Sequence, residues 1–128
     1  MSIRFITKTV HSYLDYPVAL SLIATPFLLG LGQSNPAALW LSVATGIAAL
    51  LLTVLTDHRT GLIPLLSYGF HVTVDRLVGI VFLAAPFALG FGGLDALYYW
   101  ANGATVLLVT FVLNTDETAR PALRTSAA

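Results

Sequence analysis

The chain repeats itself at an offset of 60 residues, and each copy contains two apolar segments long enough to cross a membrane. His11 matches His71, Asp15 matches Asp75, Pro26-Phe27 matches Pro86-Phe87, Leu29-Gly30 matches Leu89-Gly90, Gly32 matches Gly92 and Trp40 matches Trp100. Many of these agreements fall on scarce residue types, since the 128 residues include only three His, six Pro and two Trp. Chance likeness between two greasy helices would match Leu, Val and Ala instead. A fixed period decides architecture before any other feature. Here it predicts a duplicated helical hairpin in a lipid bilayer.

Composition agrees. Apolar residues make up 57% of the chain and charged residues 9%, against about 25% charged in a soluble domain. Twelve charged side chains cannot cover a chain of this length with a water-facing surface, so most of the solvent is lipid. A formal net charge of zero argues against nucleic acid as a partner, which would call for a basic patch. The absence of cysteine removes disulfides, Cys-ligated zinc, iron–sulfur clusters and thiol chemistry together. The N-terminal stretch has cations but no clean apolar core leading to a small-residue cleavage site. The first span is therefore expected to be retained rather than removed as a signal peptide.

Four windows reach membrane length, at 14–32, 37–56, 73–92 and 96–114. Asn35 is a good N-cap and Pro36 suits the first position of the second helix. The repeat sets Asp95 opposite Asn35, which predicts the same device at the start of the fourth helix. The middle connection opens with Asp57-His58-Arg59 and continues through Leu62 to Phe70, broken by Pro64 and Gly69. It reads as an interfacial segment rather than a fifth span. Shifted by the repeat it falls on residues 2–10. The fold class is thus all-α integral membrane, with four transmembrane helices as two tandem hairpins, each with an interfacial lead-in. The units are 1–56, 57–114 and a flexible tail, 115–128. All six cations, Arg4, Lys8, Arg59, Arg76, Arg120 and Arg124, fall on one side of this topology. The positive-inside rule then predicts that both termini and the middle loop are cytoplasmic. With an even number of spans per copy, the halves enter in the same direction, unlike the inverted repeats of many alternating-access transporters.

Candidate chemistry centres on His11 with Asp15 and His71 with Asp75. The i,i+4 spacing puts imidazole and carboxylate on one helical face, and duplication puts both pairs at one depth. Three functional readings are open. Together the four residues offer an N2O2 site for a divalent metal. His11 and His71 could instead be axial ligands of a haem, or the pairs could relay protons. The plainer reading is that each Asp complements a helix N-terminus and each His partners it at the water–lipid boundary. His58, between Asp57 and Arg59 in a loop, reads as solvated. Pro26 and Pro86 with the following glycines read as kinks that lead into tight turns. Trp40, Trp100, Tyr98 and Tyr99 read as an aromatic belt. Asn102 and Ser42 occupy matching positions within spans and are expected to hydrogen-bond across helices. Ser42 with Gly46 forms a small-xxx-small pair. No Gly-rich phosphate loop and no nucleophile with a nearby base is present, so no enzyme activity is expected.

A His-x-x-x-Asp lead-in, a Pro-centred tripeptide, a Gly-rich turn and a Trp, used twice, resembles the SPW-repeat family of small bacterial and archaeal membrane proteins. The tripeptides here are Thr25-Pro26-Phe27 and Ala85-Pro86-Phe87. They keep the Pro but lack the Ser and Trp of the family name. Leu28-Leu29-Gly30-Leu31-Gly32, Ala88-Leu89-Gly90-Phe91-Gly92 and Ile63-Pro64 fit as well. The resemblance implies a four-helix membrane protein and carries no activity to transfer. The expected role is a structural or accessory subunit that packs against other membrane proteins or against a second copy. Cofactor binding through His11 and His71 is the alternative, and a small oligomeric channel or transporter lined by Asn102 and Ser42 is a further one.

Overall fold

The computed structural model describes residues 3–115. They form four helices: α1 (Lys8–Leu29), α2 (Ala37–Leu55), α3 (Tyr68–Leu89) and α4 (Gly93–Leu107), the last continuing as a π-helical stretch, Leu108–Leu113. All four spans are long and apolar enough to cross a membrane. α1 packs on α2 and α3 packs on α4, which is the expected pair of hairpins. Of the tail expected to be flexible, only Thr115 lies within the described residues; Arg120 and Arg124 lie outside them.

α1 and α3 begin before the apolar windows because their starts are set by capping rather than by hydropathy. Thr7 Oγ1 accepts the Val10 N–H at 3.2 Å, and Ser67 Oγ accepts the Phe70 N–H at 3.1 Å. Both helices end alike. Gly30 (φ 64°) and Gly90 (φ 68°) take the left-handed conformation, and the next residue donates its N–H to the proline carbonyl, Leu31 to Pro26 at 2.9 Å and Phe91 to Pro86 at 3.0 Å. This is the six-to-one bond of a Schellman end, with its apolar follower, Leu31 or Phe91, buried. The repeated Pro-Phe-x-x-Gly pattern is therefore a helix stop.

Pro26 has no N–H to give the Leu22 carbonyl. The Ser42 hydroxyl of α2 donates to that oxygen instead, at 2.8 Å, and also meets the Tyr98 hydroxyl at 2.7 Å. The polar contact expected of Ser42 is thus present, but that expected of Asn102 is not: its amide donates to Tyr98 O within α4. Gly46 faces α1 so closely that a Cβ there would lie 2.7 Å from Ile23 Cγ1 and 2.8 Å from Ala19 O. Gly46 is thus taken up inside its own hairpin, while Ser42 also reaches α4 of the other.

Two further expectations are corrected at the turn end. Asn35 does cap α2, its Oδ1 accepting from Ala37 N–H at 3.0 Å. Asp95 does not cap α4. It sits inside the first turn and crosses to the other hairpin, where it accepts from Gly32 N–H (2.9 Å), Ser34 N–H (3.0 Å) and the Ser34 hydroxyl. Asn35 returns the contact by donating to Leu89 O at 2.9 Å. Tyr98 and Tyr99 are not belt residues. Both are buried, Tyr99 against Phe82 and Phe91 and Tyr98 against Tyr99, and Tyr99 donates its hydroxyl proton to Ala38 O at 2.7 Å. They lie on the face of α4 turned toward the first hairpin, so their rings fill the core. Trp40 and Trp100 do face outward, beside Phe27 and Phe87.

The lead-ins are irregular, with Ile3, Phe5, Leu62 and Leu65 exposed as suits an interfacial segment. Each is bonded to the end of a second helix. Leu65 and Leu66 donate to Leu55 O, while Ile6 donates to Leu113 O and accepts from Thr115 N–H. The first lead-in therefore closes on the last helix, and the two repeats form a ring.

Candidate metal centre

At the end of the bundle opposite the two tight turns, the helix periodicity turns His11 and Asp15 of α1 toward His71 and Asp75 of α3. Asp15 and Asp75 are each the eighth residue of their helix, two turns in, where backbone N–H groups are already bonded. The helix-terminus reading of these carboxylates is therefore set aside, since Thr7 and Ser67 do the capping. The aspartates instead lie between imidazoles from both repeats. His11 Nε2 is 3.1 Å from Asp15 Oδ1 and 2.9 Å from Asp75 Oδ2. His71 Nε2 is 3.4 Å from Asp15 Oδ2 and 3.3 Å from Asp75 Oδ2. One ligand atom from each of the four residues lies within 4.8 Å of the other three. Both histidines are buried.

His58 was expected in water. Its side chain is instead fully buried, and its Nε2 lies 3.1 Å from Asp15 Oδ2. The loop can fold inward because residue 61 is glycine; a Cβ there would collide with the Thr56 carbonyl. Thr60 pins the loop to α1, its hydroxyl donating to Ser12 O and its carbonyl accepting from the Tyr16 hydroxyl, both at 2.8 Å. All three histidines of the chain thus meet at two carboxylates. The repeat offset hid this, because position 118 is threonine and His58 has no counterpart. The usable signal was Gly61 closing a short loop above the start of α1.

Hydrogen-bond accounting constrains the charge. Thr56 has one hydroxyl proton and donates it to Leu52 O at 2.6 Å, so its oxygen accepts from His71 Nδ1–H at 2.7 Å. His71 Nε2 then faces two carboxylate oxygens, which a bare lone pair would repel. Either a second proton on the ring or a cation between these atoms resolves the contact. Two aspartates are neutralised equally by two imidazolium protons or by one divalent ion.

The donor set fits a divalent transition metal. Four donors at about 2.1 Å around a tetrahedral ion stand about 3.4 Å apart, close to the His–Asp separations found here. Thr56 behind His71 and His58 behind Asp15 supply the outer hydrogen bonds that ligating groups use. Haem does not fit. The His11 and His71 rings meet edge to face with centroids 5.5 Å apart, and the carboxylates occupy the space between their Nε2 atoms. The adjoining chamber of about 240 Å³ lies below the roughly 300 Å³ of the smallest drug-sized pockets.

The family model for the SPW repeat domain matches residues 8–115. The chain belongs to the SPW-repeat family. Comparison with curated proteins and with solved structures gave no match. The matched region of this SPW-repeat protein includes all four spans and all five residues of the His–Asp cluster.

Proposed function

We propose that this SPW-repeat membrane protein binds one divalent transition-metal ion between its two hairpins, with His11, Asp15, His71 and Asp75 as ligands and His58 and Thr56 behind them. The observation that carries the reading is the convergence of every histidine in the chain on two carboxylates, with His–Asp contacts of 2.9 to 3.4 Å. Two imidazole nitrogens and two carboxylate oxygens suit borderline ions such as Zn(II), Co(II) or Mn(II). They are too few, and too rich in nitrogen, for Ca(II). The role is binding rather than catalysis. The one-sided cations orient the site toward the cytoplasm of a bacterial inner membrane.

Purification through an affinity tag without histidine, followed by Co(II) titration, tests this. One equivalent should bind and give the visible absorption of a tetrahedral site, and His11→Ala or His71→Ala should abolish it. His58→Ala should weaken binding about 10–100-fold, as loss of an outer-shell partner does. Absence of stoichiometric cobalt, or undiminished binding by the Asp15→Asn/Asp75→Asn double variant, would end the proposal.

An accessory role beside other membrane proteins or a second copy is compatible with this site. Of the two features that motivate it, apolar side chains stay exposed on every helix, whereas Gly46 is taken up against α1 and Ser42 by Leu22 O and the Tyr98 hydroxyl.

A further inference from the structure

Between the hairpins, above the His–Asp cluster, lies a chamber of about 240 Å³. The repeats line it symmetrically, Leu14 with Val74 and Val18 with Val78. Thr45, Thr53, Thr105 and Thr110 also face it, yet none offers it a proton. Each hydroxyl donates to the carbonyl four residues earlier in its own helix, at 2.7 to 2.8 Å. Away from the His–Asp cluster the walls therefore offer no proton donor, only hydroxyl oxygens able to accept. The chamber is larger than the roughly 150 Å³ apolar void that stays dry and takes up benzene. Val18, Ala48 and Thr105 are exposed as well as lining it, so it opens through the flank of the bundle midway along the spans, where the solvent is lipid.

Only one end is polar. Asp75 lines the chamber and is the more exposed of the two aspartates. Both imidazole contacts of Asp75 use Oδ2, and Oδ1 has no hydrogen-bond partner among the described residues. Asp75 Oδ1, at the polar end of this largely apolar chamber, thus lacks a proton donor among the described residues. We infer that the chamber is a binding site for a small lipophilic molecule that enters from the bilayer and donates one hydrogen bond, a hydroxyl on an apolar body, to Asp75. This extends the metal reading without depending on it, because the site is defined by the chamber walls and the free oxygen.

The test is ¹⁹F NMR of the full chain in phosphatidylcholine nanodiscs, with 4-(trifluoromethyl)phenol as probe. A bound resonance that saturates at one probe per chain is expected, and benzotrifluoride, which lacks the hydroxyl, should bind at least tenfold more weakly. Val78→Trp and Ala49→Phe, which fill the chamber, should each remove the bound resonance. If both variants lose helix, saturable displacement by unfluorinated 4-ethylphenol takes their place. A signal that only partitions without saturating, persists in the filled variants or resists the competitor overturns the inference, as does equal affinity for benzotrifluoride. Cobalt titration of the same samples separates the two readings. Probe binding without cobalt sinks only the metal site, and cobalt binding without probe sinks only the chamber.

Discussion

The two repeats place the same residue types at the same positions and use them differently. Asp15 in the first receives three imidazoles, from His11, His58 and His71, while Asp75 in the second receives two. Ser42 replaces the hydrogen bond that Pro26 cannot make, whereas Asn102 bonds within its own helix. Asn35 caps α2, whereas Asp95 reaches across to the opposite turn. The starts and stops of α1 and α3 are equivalent, with Thr7 and Ser67 as matching caps and Gly30 and Gly90 in the same conformation, each followed by the same bond to a proline carbonyl. Duplication preserves what a residue does to its own chain segment. It does not preserve contacts that depend on which neighbour arrives from elsewhere.

The largest expected asymmetry is at the aspartates. Asp15→Asn strips charge from beneath three buried rings and should destabilise the fold by about 3–5 kcal/mol, the range for breaking a buried ion pair. Asp75→Asn, at a more open site with fewer partners, should destabilise by about 1–3 kcal/mol. Unfolding in mixed micelles measures both, and equal losses would mean that His58 adds nothing to the first repeat.

A smaller difference separates the matched polar residues within the spans. Ser42→Ala leaves the Leu22 carbonyl unpaired and should reduce stability by about 1–2 kcal/mol. Asn102→Leu should stay within about 0.5 kcal/mol of the parent. Ser42→Ala in a Pro26→Ala background should have much less effect, because alanine restores the missing N–H; an unchanged penalty would sever the proposed link between proline and serine. The smallest expected difference is at the stops. Gly30→Ala and Gly90→Ala should each destabilise by about 1 kcal/mol, since both force a side chain into the left-handed region. Similar values would show that symmetry survives where contacts are local.

The hairpins, the helix stops and the Asn35 cap were legible because each depends on a few consecutive residues obeying a fixed period or a fixed backbone requirement. The alignment of His11-Asp15 with His71-Asp75 was legible too, since the helical repeat puts each pair on one face and the duplication puts both at one depth. His58 was not legible, because a loop residue has no periodicity to orient it. Only Gly61, Thr60 and Tyr16 acting together turn it inward. Tyr98 and Tyr99 misled for a related reason. An aromatic near a helix end can face lipid or core, and the choice lies with the facing hairpin.

By itself, then, the sequence determined four membrane-length helices in two copies and named the residues that could bind an ion. The tertiary structure decided that those residues meet each other, that a third histidine joins them, and that a largely apolar chamber lies beside them. The physical reason is range. Hydropathy, capping and glycine conformation act within a few residues along the chain, whereas a charged cluster and its chamber exist only once two helices about 60 residues apart in sequence are brought together.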